Sequence, residues 1–93
     1  MAAATNGGTI FFSTATTNGN DNITISNCNI GPAGANLPTK AIYGNGSTST
    51  TAIQNSGVNI VNNNIYDFFN AAVASYGIYL NTGNTDWNIT YNR

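Results

Sequence analysis

The sequence predicts an all-β fold of about three turns of a coil, in which short strands stack on the equivalent strands of the next turn. Three observations predict it. One phrase occurs three times, ITISNCNI at residues 23–30, VNIVNNNI at 58–65 and WNITYNR at 87–93. A second phrase lies between the copies in constant order, TIFF at 9–12, AIYG at 41–44 and GIYL at 77–80. Both phrases alternate apolar and polar residues at period two and are rich in β-branched residues, which excludes a helical repeat.

The copies recur at 35 residues (Ile25 to Ile60), 29 (Ile60 to Ile89), 32 (Ile10 to Ile42) and 36 (Ile42 to Ile78). Periods of that length mean stacked supersecondary units. Each turn of the coil then reads in order. Strand one is the IFF, IYG or IYL phrase, and Asn18-Gly19, Asn45-Gly46 and Gly83-Asn84 supply the turn after it. Strand two carries Ile25, Ile60 or Ile89 and runs into an asparagine corner, because asparagine tolerates the left-handed backbone that a sharp corner needs. Strand three holds Ile30 or Ile65, and long loops follow at 32–40 and 69–76. Alternation turns Ile10, Phe12, Ile42, Ile78 and Leu80 of strand one inward. It does the same for Ile23, Ile25, Val58, Ile60, Trp87 and Ile89 of strand two and for Ile30 and Ile65 of strand three. Trp87 takes the place of Ile23 and Val58, where its ring would cover an end of the coil as a partial lid.

The strand-two phrase, Ile25-Ser-Asn-Cys28-Asn-Ile30 and Ile60-Val-Asn-Asn63-Asn-Ile65, with Ile89-Thr-Tyr-Asn92-Arg93, resembles the right-handed parallel β-helix family of pectin-lyase-like folds. The resemblance spans nearly the whole chain and implies a right-handed β-solenoid of about three rungs. It also implies an internal asparagine ladder, for which Asn63 and Asn92 are the pair. The first copy departs by placing Cys28 at the ladder position, where a small buried hydrophobe is expected.

Composition narrows the function. With no histidine and one cysteine, Cys28, the chain has neither a His-dependent triad nor an internal disulfide, and no zinc site or other cofactor is expected. Five charged side chains and a net charge of -1 offer nothing to a phosphate backbone, so nucleic acid is not an expected partner. No apolar run is long enough to span a bilayer. Asparagine and threonine make up 31 of 93 residues with no glutamate and a single lysine, a balance expected of an extracellular, virion or cell-surface protein. Three glycosylation triplets, at Asn22, Asn45 and Asn88, are no more than the about four that chance supplies at this composition.

Two side-chain sets invite a function. Phe11, Tyr43 and Tyr79 stand outward at equivalent places of consecutive rungs, about 4.8 Å apart, as an aromatic ladder. It serves either as a sheet-stabilising stack, as a lateral protein contact, or as a saccharide surface, the last being what the family resemblance implies for strand one. Asp21 and Asp86 precede strand two in rungs one and three, about two strand spacings apart, near the upper end of an inverting glycosidase pair. The family's lyases and hydrolases also need a basic catalytic residue or several close acids. Lys40 and Arg93 are the only bases, so no catalytic residue is assigned and a turn-stabilising role is expected for both aspartates. Asp67 alone carries too little charge for a tight calcium site.

Residues 1–93 read as one module whose last rung stops short of the apolar residue that follows the corner in the other copies. An uncapped coil end exposes inward side chains worth roughly 1.5 to 3 kcal/mol each on burial. The expected function is therefore a structural or adhesive β-helix module acting by rung stacking and end-to-end association into an oligomer or filament. The alternative is a carbohydrate-binding fragment of a polysaccharide-active or tailspike-like protein.

Overall fold

In the computed structural model of the chain, the described residues are 9–31, 39–67 and 74–93. Most of both expected long loops, 32–40 and 69–76, lies outside them. The remainder is all-β, with parallel strands in small sheets. In chain order the strands are β1 (Ile10–Phe12), β2 (Thr24–Ser26), β3 (Asn29–Ile30), β4 (Lys40–Gly44), β5 (Asn55–Ser56), β6 (Asn59–Val61), β7 (Asn64–Ile65), β8 (Tyr76–Leu80), β9 (Asn84–Thr85) and β10 (Asn88–Thr90). A 3-10 turn, Thr51–Ile53, precedes β5.

No strand pairs with its neighbour in sequence. The sheets run β1-β4-β8, β10-β6-β2, β3-β7 and β5-β9, every pair parallel. Their register aligns the two phrases: Ile10, Ile42 and Ile78 are partners, as are Ile25, Ile60 and Ile89. Side-chain period two then sends each aligned set to one face, so equal registers bury equal residue types.

Burial follows strand position within the sheets. Ile42 on β4, Ile60 on β6 and Val58 just before β6 are fully buried, and both strands are central in their sheets. Phe12 and Ile30 complete the cluster with Ala41, and Ile10, Ile25, Ile65, Ile78 and Trp87 pack partly buried against it. Three side chains expected inward are instead exposed by more than a third, Ile23 (38%), Leu80 (36%) and Ile89 (40%). Each lies on or beside an outer strand, where no further strand among the described residues covers it. Trp87, the expected lid, is half-buried. Its ring meets Phe12 edge to face at 5.1 Å, and its indole N–H donates to Asn55 O at 3.2 Å.

The corners differ from expectation in one respect. The left-handed residues are Asn27, Asn62 and Tyr91, at φ 56°, 56° and 57°, one place before the Cys28, Asn63 and Asn92 positions. The corner and the ladder thus fall to adjacent residues. A second left-handed set, Asn22, Gly57 and Asp86, lies before strand two. The short strands β5 and β9 between strand one and that corner are elements the sequence phrases do not announce, because two residues carry no periodic signal.

Tyr91 is anomalous, since an L-residue without a short polar side chain costs about 1 to 2 kcal/mol in this conformation. Its ring is 84% exposed, so little packing offsets the strain. Tyr91→Asn, which installs the residue found at 27 and 62, is expected to stabilise the fold by about 1 kcal/mol. A thermal melt should show a rise of roughly 4 to 8 °C.

Candidate functional site

The outward aromatic set is in register and in contact. Phe11 lies on Tyr43 with ring centroids 5.1 Å apart and planes 10° from parallel, and Tyr43 meets Tyr79 at 5.5 Å. Tyr76, one alternation before Ile78, adds its ring to Tyr79 at 4.6 Å. Lys40, the register partner of Tyr76, places Nζ 4.7 Å from the Tyr43 centroid and 5.6 Å from that of Tyr79. Together these neighbours cover Tyr43, which is only 7% exposed. The middle ring of the set is thus engaged in stacking and cation–π contact, while Phe11, at 46%, and Tyr76, at 40%, are the more exposed rings of the group. Beside Phe11 an open depression of about 390 Å3 is lined by Thr14, Thr16, Asn45 and Ser47 among others, hydroxyls and amides without charge.

Asn63 and Asn92 are directly bonded. Asn63 Nδ2 donates to Asn92 Oδ1 at 2.9 Å, and the Asn63 backbone N–H donates to the same oxygen at 3.0 Å. Each amide also donates backward to the carbonyl of the preceding strand, Asn63 to Ile25 O and Asn92 to Ile60 O. The Cys28 N–H in turn donates to Asn63 Oδ1 at 3.0 Å. Cys28 itself is exposed, against the expectation of a buried thiol. Its side chain is too short to follow the asparagine path inward, and Sγ instead donates to the nearby Ser26 O at 3.2 Å.

A second internal ladder, Asn20, Asn55 and Asn84, was not singled out from the sequence phrases. Asn20 Nδ2 donates to Asn55 Oδ1 at 2.8 Å, and Asn55 Nδ2 donates to Asn84 Oδ1 at 3.2 Å. Asn55 is fully buried and also donates to Phe12 O. The signal that could have found it is its spacing: 35 and then 29 residues, identical to the spacing of Ile25, Ile60 and Ile89.

The carboxylates do not gather. Asp21 bridges to Ser56, which pairs with Thr85, whereas Asp86 follows Thr85 and falls in line with Asn22 and Gly57. The expected stacking of Asp21 with Asp86 is thus displaced by one residue. Asp21 Oδ1 accepts a hydrogen bond from Ser56 Oγ at 2.6 Å, and Asp86 occupies a left-handed corner, which are both turn roles. Asp67 occupies another left-handed position. Among the described residues no group of three His, Cys, Asp or Glu side chains could hold a metal ion, and no helix is long and apolar enough to cross a membrane.

What the arrangement offers chemically is hydrogen-bonding and apolar surface. The edges of β1 and β2 on one side, and of β8, β9 and β10 on the other, are unpaired among the described residues. Ile23 lies beside the first edge, and Leu80 and Ile89 lie on the second. Compared with known proteins, the chain matches no protein-family model, no curated protein and no solved structure.

Proposed function

We propose that the chain is a non-catalytic β-solenoid module of right-handed parallel β-helix type. Its function is structural: rungs of one unit stack on rungs of another through the open sheet edges, on an extracellular, virion or cell surface. The observation that carries this reading is the burial gradient along aligned sets. Ile60 is fully buried between Ile25 and Ile89, while Ile89 at the outer position of the same set is 40% exposed. The same side chain becomes core when a further strand is added, so the outer rungs have the composition of interior ones. Three parallel rungs following the phrase order, corners in left-handed conformation and two amide ladders support the solenoid architecture. The low charge supports close approach of like surfaces.

A polysaccharide partner has weaker support. The aromatic face that would hold it is largely consumed by the Phe11, Tyr43, Tyr79 stack and by Lys40, and only the uncharged depression beside Phe11 remains in its favour.

Light scattering of the purified chain across a concentration series tests the structural reading. The average mass is expected to rise with concentration, and Ile89→Lys is expected to suppress the rise while leaving the far-ultraviolet circular dichroism spectrum unchanged. A mass that stays at one chain throughout would sink it.

A further inference from the structure

Two turns of the coil carry the same dipeptide and hold it differently. In Asn-Gly the side-chain carbonyl carbon of the asparagine is one ring closure away from the backbone nitrogen that follows, and a glycine leaves that nitrogen unshielded. At Asn45-Gly46 both reacting ends are held. The Gly46 N–H donates to Thr82 O at 2.9 Å, and Asn45 Oδ1 accepts from Asn81 Nδ2 at 3.1 Å and from Thr82 Oγ1 at 3.4 Å. The Asn45 N–H donates to Phe12 O, so the residue is fixed from both sides. At Asn18-Gly19 the asparagine is exposed, and its one side-chain bond among the described residues runs from Nδ2 to the adjacent Thr17 Oγ1 at 3.2 Å. Among the described residues the Gly19 N–H donates to no acceptor. A third such dipeptide, Asn6-Gly7, lies outside the described residues.

We propose that Asn18 is a site of covalent self-modification, converted to isoaspartate and aspartate through a cyclic imide with Gly19, and that the fold protects Asn45 from the same reaction. The Gly19 nitrogen gives its proton to solvent and attacks Cγ of Asn18. A bond forms between that nitrogen and Cγ, the Cγ–Nδ2 bond breaks, and Nδ2 takes up a proton from water and leaves as ammonia. Water then opens the imide. Cleavage between the Gly19 nitrogen and the main-chain carbonyl carbon of residue 18 leaves the chain running through Cγ, an isoaspartyl link. Cleavage at Cγ restores the ordinary main chain and leaves an aspartate. Nothing is oxidised or reduced, and the exchange is one water in for one ammonia out.

The main chain beyond this turn has no slack to absorb the isoaspartyl link. A Cβ built on Gly19 would stand 2.2 Å from Gln54 O, so the glycine backbone lies directly against the next rung. Asn20 follows, with its N–H and Nδ2 on Asn55 Oδ1 at 3.1 and 2.8 Å and its carbonyl accepting from the Ser56 N–H at 2.9 Å. One added main-chain carbon just ahead of these contacts displaces the first amide of the Asn20, Asn55, Asn84 ladder, whereas the aspartate product keeps the chain length. Both products add one negative charge to a chain whose formal charge is -1.

The test is incubation of the whole chain, folded or in urea, at neutral and mildly alkaline pH. Fragment-ion mass spectrometry of chymotryptic peptides then places the amide-to-acid mass gain on single residues. In the folded chain Asn18 is expected to convert at least about 10-fold faster than Asn45, the ratio that the one or two hydrogen bonds holding Gly46 and Asn45 impose on local opening. In urea the two rates are expected to converge, since both asparagines then precede an unrestrained glycine. The Asn18 rate is expected to rise with pH, because the attacking nitrogen must lose its proton. Asn18→Gln is expected to remove the product at that position and to leave the circular dichroism spectrum unchanged. Equal rates at the two positions in the folded chain, or no conversion at Asn18, would overturn the site. The isoaspartyl form, separated by chromatography, is expected to unfold at lower urea than the aspartyl form, and equal midpoints would overturn the link to the ladder.

Discussion

Replacing Asn55 with alanine is expected to lower the unfolding free energy by roughly 2 to 4 kcal/mol, among the largest losses any polar side chain in this protein can cause. The amide is fully buried, accepts from both the backbone N–H and the Nδ2 of Asn20, and donates to Phe12 O and Asn84 Oδ1. Truncation leaves donors of Asn20 and the oxygen of Asn84 without their partner in a place that water reaches poorly. Phe12 O loses less, since the Asn45 N–H also donates to it at 2.9 Å. Asn64→Ala supplies the comparison. Asn64 is exposed and its one side-chain bond among the described residues is at 3.4 Å to Asn29, so its loss is expected to stay within about 0.5 kcal/mol. Urea unfolding of the two variants at one low protein concentration measures the difference. Equal losses would show that the buried amide does no more than a surface one.

The second large effect contrasts two isoleucines of one aligned set. Ile60→Ala is expected to cost about 2 to 5 kcal/mol, because Ile60 is fully buried between strands that cannot collapse onto a smaller side chain without breaking their register. Ile89→Ala is expected to cost less than half as much in dilute solution, since 40% of that side chain is already in water. Concentration then becomes informative. If outer strands acquire a neighbour on association, the cost of Ile89→Ala grows as protein concentration rises and that of Ile60→Ala does not. Unfolding monitored at two concentrations a hundredfold apart reads both trends. A concentration-independent ratio would mean that Ile89 gains no cover.

What could be read from the chain alone was its alignment. The 35- and 29-residue spacings of Ile25, Ile60 and Ile89 are the register of the β2-β6-β10 sheet, because parallel pairing needs the same residue at the same height and a one-residue slip would reverse every face. What could not be read was how far each aligned position reaches. Tyr43 alternates outward as expected, yet its burial depends on Lys40 and on two rings from other strands, a matter of side-chain length rather than period. Cys28 occupies the ladder position by alignment, but Asn63 and Asn92 are each held inward by an amide that donates to a carbonyl of the adjacent strand, Ile25 O and Ile60 O, and cysteine has no amide to donate. The one-residue offset between Asp21 and Asp86, by contrast, lies in the intervals themselves, since Asp21 stands four residues before Ile25 and Asp86 three before Ile89. Of the site, then, pairing was legible and accessibility was not, since the first follows from intervals along the chain and the second from atoms contributed by other strands.

The buried amides also give the protein a chemical lifetime. Hydrolysis of an asparagine side chain consumes a water, releases ammonia and leaves an aspartate, and where Asn55 offered an N–H to Phe12 O and Asn84 Oδ1 it would then present a second oxygen to both. Ageing of a single side chain would convert attraction into repulsion on two sides at once and bring a negative charge into a fully buried place. Durability in this fold is therefore a question of hydrolysis as much as of unfolding. Burial of the central ladder amides, Asn55 and Asn63, away from water preserves the material as well as the shape.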